Sequence, residues 1–406
     1  MNPTIRAFIT TACLVSMPVL AGTTTFTVNS TLDLPAVSAG DGICEATSGM
    51  GDCTLRAAIM EANGLQAPVE IILPAGDYVL SQGQLQAAGE ITIRGDGAGI
   101  TRIDGNENTR VLANTATLVL EELTIRRGRA LAADDFLGGG LRNDSELSLH
   151  HVIMEDNVAN AGGAIFTGGT LLVENSTFRN NDVQTVTTNS DGAAISASNA
   201  QVDIIGSTFH ANQPSTEESG FTATIYLSGG QLRMLNSTIS NNGKGGVQGQ
   251  NATLDLRFST LANNPGGNLN NFSFDGSHPT VLAANALTNA VSFNCSGSAD
   301  ARTSLGYNVA SDSSCELEAT GDVQSANLML GDLADNGGPT LTHLPSATSP
   351  VVNRVPPADC SDFDDDSLIH DQRGQARPVG SGCDAGAVEW IEDLIFQNRF
   401  ESSGSL

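Results

Sequence analysis

Six segments of this chain align without gaps on their apolar positions: LVLEELTIRRG from Leu118, LSLHHVIMEDN from Leu147, LLVENSTFRNN from Leu171, VDIIGSTFHAN from Val202, LRMLNSTISNN from Leu232 and LDLRFSTLANN from Leu254. Apolar side chains recur at offsets zero, two and seven, which describes two short strands of period-two alternation joined by a corner. The starts lie 29, 24, 31, 30 and 22 residues apart. Between them sits a second element, read as GGGLRN, GGAIFTGG, GAAISAS, TATIYLSGG and GGVQGQ, with Leu141, Ile165, Ile195, Ile225 and Val247 as its inward residues. Each repeat thus offers about three short strands, and stacked repeats pair them in parallel at about 4.8 Å per coil. A helical solenoid would show the 3.6-residue period, which is absent.

The pattern predicts an all-β chain folded as a right-handed parallel β-helix of the pectate-lyase-like kind. With EIILPAGDYVL from Glu70 and EITIRGDGAGITRIDGN from Glu90 read as the first coils, residues 69–344 would hold on the order of ten or eleven coils in a column about 50 Å long. Five segments end on Asn at one offset, Asn157, Asn181, Asn212, Asn242 and Asn264. Asn suits a left-handed corner, and its amide can stack from coil to coil, so this column is read as structural. The sequons at Asn175 and Asn236 occupy the same corner of the repeat and follow from that pattern.

A β-helix exposes its apolar interior and unpaired strand edges at both ends, so both need caps. TLRAAIMEAN reads as a short amphipathic helix capping the first mouth, with Thr54 as N-cap, Leu55, Ile59 and Ala62 on one face, and Asn63-Gly64 as its end. The first residues, MNPTIRAFITTACLVSMPVLAG, carry one charge at Arg6 and a short interrupted apolar stretch, the form of a secretory signal cleaved near Ala21. Its removal takes Cys13 and leaves Cys44, Cys53, Cys295, Cys315, Cys360 and Cys383, which fall as three local pairs in an oxidising compartment. Disulfides Cys44–Cys53, Cys295–Cys315 and Cys360–Cys383 are expected.

Several motifs resemble known families. TFTVNSTLDLPAVSAGDGICEATSGMGDCTLRAAIMEAN is similar to the CSLREA domain of bacterial secreted proteins, with Ala57 where that family has Glu. GGAI at Gly162 to Ile165 and FxxN at Phe178 and Phe209 resemble repeats of chlamydial polymorphic outer-membrane proteins. DNGGPTLTHLPSATSPVVN with DQRGQARPVGSGCDAGAVEW resembles a choice-of-anchor Q domain, which closes such helices. The tail DLIFQNRFE is similar to the IFxxGFE ending of exported gammaproteobacterial proteins, with Arg399 in place of Gly. The implied plan is a signal at 1–21, an N-terminal cap at 22–68, coils at 69–344, a C-terminal cap at 345–392 and a tail at 393–406. The resemblance implies secretion or display on a Gram-negative surface and carries no reaction.

Charge narrows the partners. The net charge of −27 becomes −28 once Arg6 leaves, with Lys244 the sole lysine, which disfavours nucleic acid. Aromatics are 4% of the chain with one tryptophan, Trp390, too few for a broad sugar-stacking platform. No stretch after the signal reads as a membrane span, and a monomer is expected. Other parallel β-helices include pectate lyases, polygalacturonases and phage tailspikes, so polysaccharide cleavage is the alternative function on fold analogy. A lyase would need carboxylates with a nearby Arg; the candidates are Asp134 and Asp135 near Arg126, Arg127 and Arg129, and Asp203 and Asp255. The last two sit in an outward slot on non-adjacent coils and read as solvated positions. No carboxylate and Arg constellation recurring on adjacent coils is read, no catalytic residue is assigned, and no cofactor is implied. The acidic run containing Asp362, Asp364, Asp365 and Asp366 could supply oxygen ligands to calcium. Asp371, Arg373, Arg377, Asp384 and Glu389 read as an ion-pair network holding the last strands. The function expected is adhesive or structural binding, with an extracellular polysaccharide or a cell surface as partner.

Overall fold

The computed structural model describes residues 23–392 apart from 66, 133–134, 185–190, 214–222, 274–275 and 290–291. The signal and tail readings lie outside the described residues. Three parallel sheets of eleven, ten and nine strands form the walls of a right-handed β-helix; they are called here the first, second and third faces. One coil runs through Glu146–His150 on the first face, Ile153–Glu155 on the second and Ile165–Thr167 on the third.

The six aligned segments stack in the register that their apolar positions set. Leu118, Leu147, Leu171, Val202, Leu232 and Leu254 are successive partners on the first face. Offset seven supplies the interior of the second face as Ile125, Met154, Phe178, Phe209, Ile239 and Leu261. All belong to one continuous apolar core. Phe178 and Phe209 stack with ring centroids 4.6 Å apart. Such burial is the main source of stability, at about 25 cal/mol per Å² removed from water.

Polar ladders complete the corners. Each column Asn donates from Nδ2 to the Oδ1 of the next: Asn157 to Asn181 at 3.0 Å, Asn181 to Asn212 at 2.9 Å, Asn212 to Asn242 at 3.0 Å and Asn242 to Asn264 at 3.0 Å. The same Oδ1 atoms also accept the backbone N–H of the preceding member. The left-handed residue is not the Asn, as expected, but its predecessor: Asp156, Asn180, Ala211, Asn241 and Asn263 have φ between 54° and 56°. That bend turns the following amide inward, where only a group that both donates and accepts can serve two coils. The first repeat carries Gly128 at this offset, and a Cβ there would meet the Gly139 carbonyl at 2.1 Å. A second ladder was not read from the sequence. Ser176, Ser207, Ser237 and Ser259 each accept the backbone N–H of the coil before with their hydroxyls.

Replacing Asn212 with Ala orphans the Asn181 amide and removes the donor to Asn242 and to the Phe178 carbonyl. A loss of about 2–3 kcal/mol is expected, read as a lowered denaturation midpoint. An unchanged midpoint would contradict the ladder's contribution.

The three disulfides pair as expected. The helix Leu55–Gly64 closes the first mouth, with the Thr54 hydroxyl accepting the Ala57 N–H at 3.1 Å. Ahead of it, Thr24–Thr27 adds a strand to the first face beside Val69–Leu73, within the segment read only as a cap.

The far end departs from expectation. Regular coils stop at Val309–Ala310 rather than near Leu344, because the period-two alternation stops there and the chain turns across the opening. Cys315 and Leu317 are buried in the column core beside Ala310 and Leu287, fastened through Cys295. This segment plugs the second mouth, the role expected of 345–392. Residues 329–390 instead form a strap that runs back along the outside of the column. Its Val355, Cys360 and Cys383 pack on Leu235, Phe258 and Ala284, and its Val351 and Ala385 on Ala286 and Val309. The Cys360–Cys383 bond lies within the strap, so among the described residues no disulfide ties strap to column.

Candidate functional site

The outer surface of the second face divides into two halves. From the coil of Thr208 onward the strap covers it: the Thr208 hydroxyl donates to the Leu341 carbonyl at 2.6 Å, the Thr238 hydroxyl to Gln372 Oε1 at 2.7 Å, and the Ala387 N–H to Thr260 Oγ1 at 3.0 Å. Ser240 and His343 lie 2.7 Å apart beneath it. Burial lowers the His343 pKa, and its Nδ1 bonds the Gly331 carbonyl, so a neutral ring that accepts from the Ser240 hydroxyl fastens the strap.

The other half carries charge. Register places Asp77 beside Arg102, and Asp104, Arg126, Glu155 and Arg179 in one outward row on four consecutive coils, which His210 continues onto the first coil that the strap covers. Asp104 is fully buried between Arg126 Nε at 2.8 Å and Arg127 Nη2 at 2.5 Å. Asp77 accepts from Arg102 at 3.3 Å and Arg126 at 3.0 Å. Glu155 accepts from Arg179 through Nε at 2.9 Å and Nη2 at 2.6 Å. The hydrogen bond to Asp104 raises the Arg127 pKa further. Burial, with Arg179 beside it, lowers that of His210. The expectation that no carboxylate and Arg constellation recurs on adjacent coils is therefore corrected. Its signal was present at offset eight of the aligned repeats, where Arg126, Glu155, Arg179 and His210 follow one another.

The residues singled out beforehand are placed differently. Asp134 lies outside the described residues. Asp135 pairs with Arg110, which also donates to the Leu137 and Gly138 carbonyls and to Gln84. Arg126 and Arg127 turn to Asp104 instead, because a corner separates them from Asp135. On the first face Arg233 lies between Asp203 and Asp255 in register. Arg233 bonds Asp203 at 2.6 Å and Arg257 bonds Asp255 at 3.1 Å.

The acidic loop lies against these first-face arginines. The Arg233 and Arg257 guanidiniums sit 5.1 and 5.2 Å from the Phe363 ring centre, and Arg257 donates to the Asp362 carbonyl at 2.6 Å. Asp362 Oδ1 accepts the N–H groups of Asp364 and Asp366. Among the described residues no three Asp, Glu, His or Cys side chains converge to hold a metal ion. Asp362, Asp364, Asp365 and Asp366 are thus not gathered as a calcium cage, and the guanidiniums beneath supply counter-charge.

The network of Asp371, Arg373, Arg377, Asp384 and Glu389 is real but fastens the strap, not the last strands. Arg373 pairs with Asp371 at 2.7 Å and Arg377 with Glu389 at 2.8 Å, all four side chains fully buried. Arg377 reaches the column, donating to Asn236 Oδ1 at 2.8 Å and lying 4.8 Å from the Phe258 ring centre. Three carboxylates face two guanidiniums. Burial, reinforced by Glu389, pushes the Asp384 pKa up to about 7. A carboxyl whose folded pKa is raised stabilises the fold fully below its ordinary range and loses that contribution as pH rises through the folded value. Stability of the docked strap should fall as pH rises from 6 to 8, and Asp384→Asn should flatten that slope. A wild-type strap whose melting is level over this interval would contradict the assignment.

No protein-family model matches the chain, and no curated protein sequence matches it. Among solved structures, pectate lyase Pel9A is similar at 14% identity and a TM-score of 0.48, over 91% of this chain and 98% of that one. The PL6 family alginate lyase AlyGC is similar at 13% identity and a TM-score of 0.29, over 83% of this chain and 58% of that one. Neither likeness carries chemistry to this chain.

Proposed function

We propose that this is an exported protein, secreted or displayed at the cell surface, that binds an extended extracellular polymer along the open half of its second face. The observation that carries the reading is the outward row from Asp104 to Arg179, which a rigid column holds at one rung per coil. The three disulfides are compatible with an oxidising compartment. No helix among the described residues is long and apolar enough to cross a membrane. The resemblance of the two ends to CSLREA and choice-of-anchor Q domains supports a place at the cell exterior.

Polysaccharide cleavage is the second reading, favoured by the same meeting of carboxylates and arginines. Binding is preferred because the carboxylates are engaged: Asp104 is fully buried between two guanidiniums, and Glu155 is gripped by both Nε and Nη2 of Arg179. A general acid or base must reach the substrate. Incubation with polygalacturonate or alginate, with and without calcium, should release no ultraviolet-absorbing unsaturated uronates. Such products, abolished by Asp77→Asn, would replace binding with a lyase.

A further inference from the structure

We infer that the polymer held on the second face is an anionic polysaccharide, recognised through its carboxylate or sulfate groups by Arg127 and Arg179; this rests on the binding reading above. In each pair the cation stands above its partner. The Arg127 side chain is 37% exposed over an Asp104 that is 0% exposed, and Arg179 is 42% exposed over Glu155 at 13%. Each carboxylate thus fixes a guanidinium from below and leaves its upper edge to the solvent. A guanidinium presents five N–H donors in a planar fork, so one edge can hold the internal carboxylate while others meet a second oxyanion.

The exposed acids lie to the sides. Asp77 stands in the neighbouring row, shared by Arg102 and Arg126, Glu107 and Asp156 occupy left-handed corner positions, and Asp335 of the strap lines the hollow beside Arg179. Over the central coils the more exposed member of each pair is the guanidinium, in a chain of net charge −27. Register separates Arg126 and its neighbour Arg127 from Arg179 by two coils, about 9.6 Å at the usual strand spacing. Two cationic rungs at that interval suit a chain whose anionic groups recur along its length. The net charge acts over a screening distance of about 8 Å at physiological salt, so the contact is decided by the exposed guanidinium edges and the groups immediately around them.

The test is calorimetric titration with three polymers: alginate, dextran sulfate and uncharged dextran. Both or one of the anionic polymers should bind and dextran should not, the two anionic arms deciding between carboxylate and sulfate. The double variant Arg127→Gln/Arg179→Gln should lose roughly tenfold in affinity, the combined effect of two exposed charge contacts. Arg233→Gln, on the first face, should bind as wild type. Should the double variant fold poorly, the unaltered protein answers: its affinity for the anionic polymer should fall as salt is raised. Equal binding of dextran, or affinity indifferent to salt, overturns the anionic assignment and leaves an extended polymer on this face. Binding of none of the three overturns both.

Discussion

Arg377→Met is expected to detach the strap while leaving the column folded. The substitution removes the guanidinium that bonds the Glu389 carboxylate and links the network to Asn236 on the column. Glu389 and Asp384 would then remain buried beside each other, and breaking a buried pair from one side costs about 3–5 kcal/mol. The apolar core of the column is separate from the two clusters beneath the strap, so the loss should stay local. Limited proteolysis should cut within residues 329–390 and spare a column fragment. Adding Glu389→Gln should recover part of the loss, since removing both charges costs less than removing one. A strap as resistant in the single variant as in wild type would contradict its fastening by this network.

Ile59→Asp is expected to open the first mouth. Ile59 is 1% exposed and packs in the column core with Leu55, Ala58 and Ala62. The exchange forfeits about 2–3 kcal/mol of apolar burial and places a carboxylate where it has no partner. The exposed end of the column presents strand edges that invite association. Light scattering should show aggregates and a lowered melting temperature; an unchanged monomer with unchanged melting would sink the capping role.

The coils were legible because period-two alternation and a fixed apolar offset leave one register that buries every inward residue. Even so, the corner was misplaced by one residue, since Asn at a bend suggested a left-handed Asn where the conformation belongs to residues as unlike as Asp156 and Ala211. The strap was not legible. Its partners lie far away in sequence, as Thr340 bonds the Gly206 carbonyl across 134 residues, and a mostly irregular polar segment has no period to betray what it covers. The acidic loop read as a metal ligand set for the same reason, because Arg233 and Arg257 approach it only through the fold. The charged row was half legible. Offset eight held Arg126, Glu155, Arg179 and His210, but Asp77 and Asp104 belong to earlier coils outside the aligned six.

The most direct measurement is hydroxyl-radical footprinting, by mass spectrometry, of the protein with and without bound anionic polysaccharide. Protection should fall on Arg102, Arg126, Arg127 and Arg179 along the open half of the second face, with Arg94, Arg233 and Arg257 on the first face unchanged. Protection of the first-face arginines, with the second-face row as reactive as in the free protein, would contradict the account.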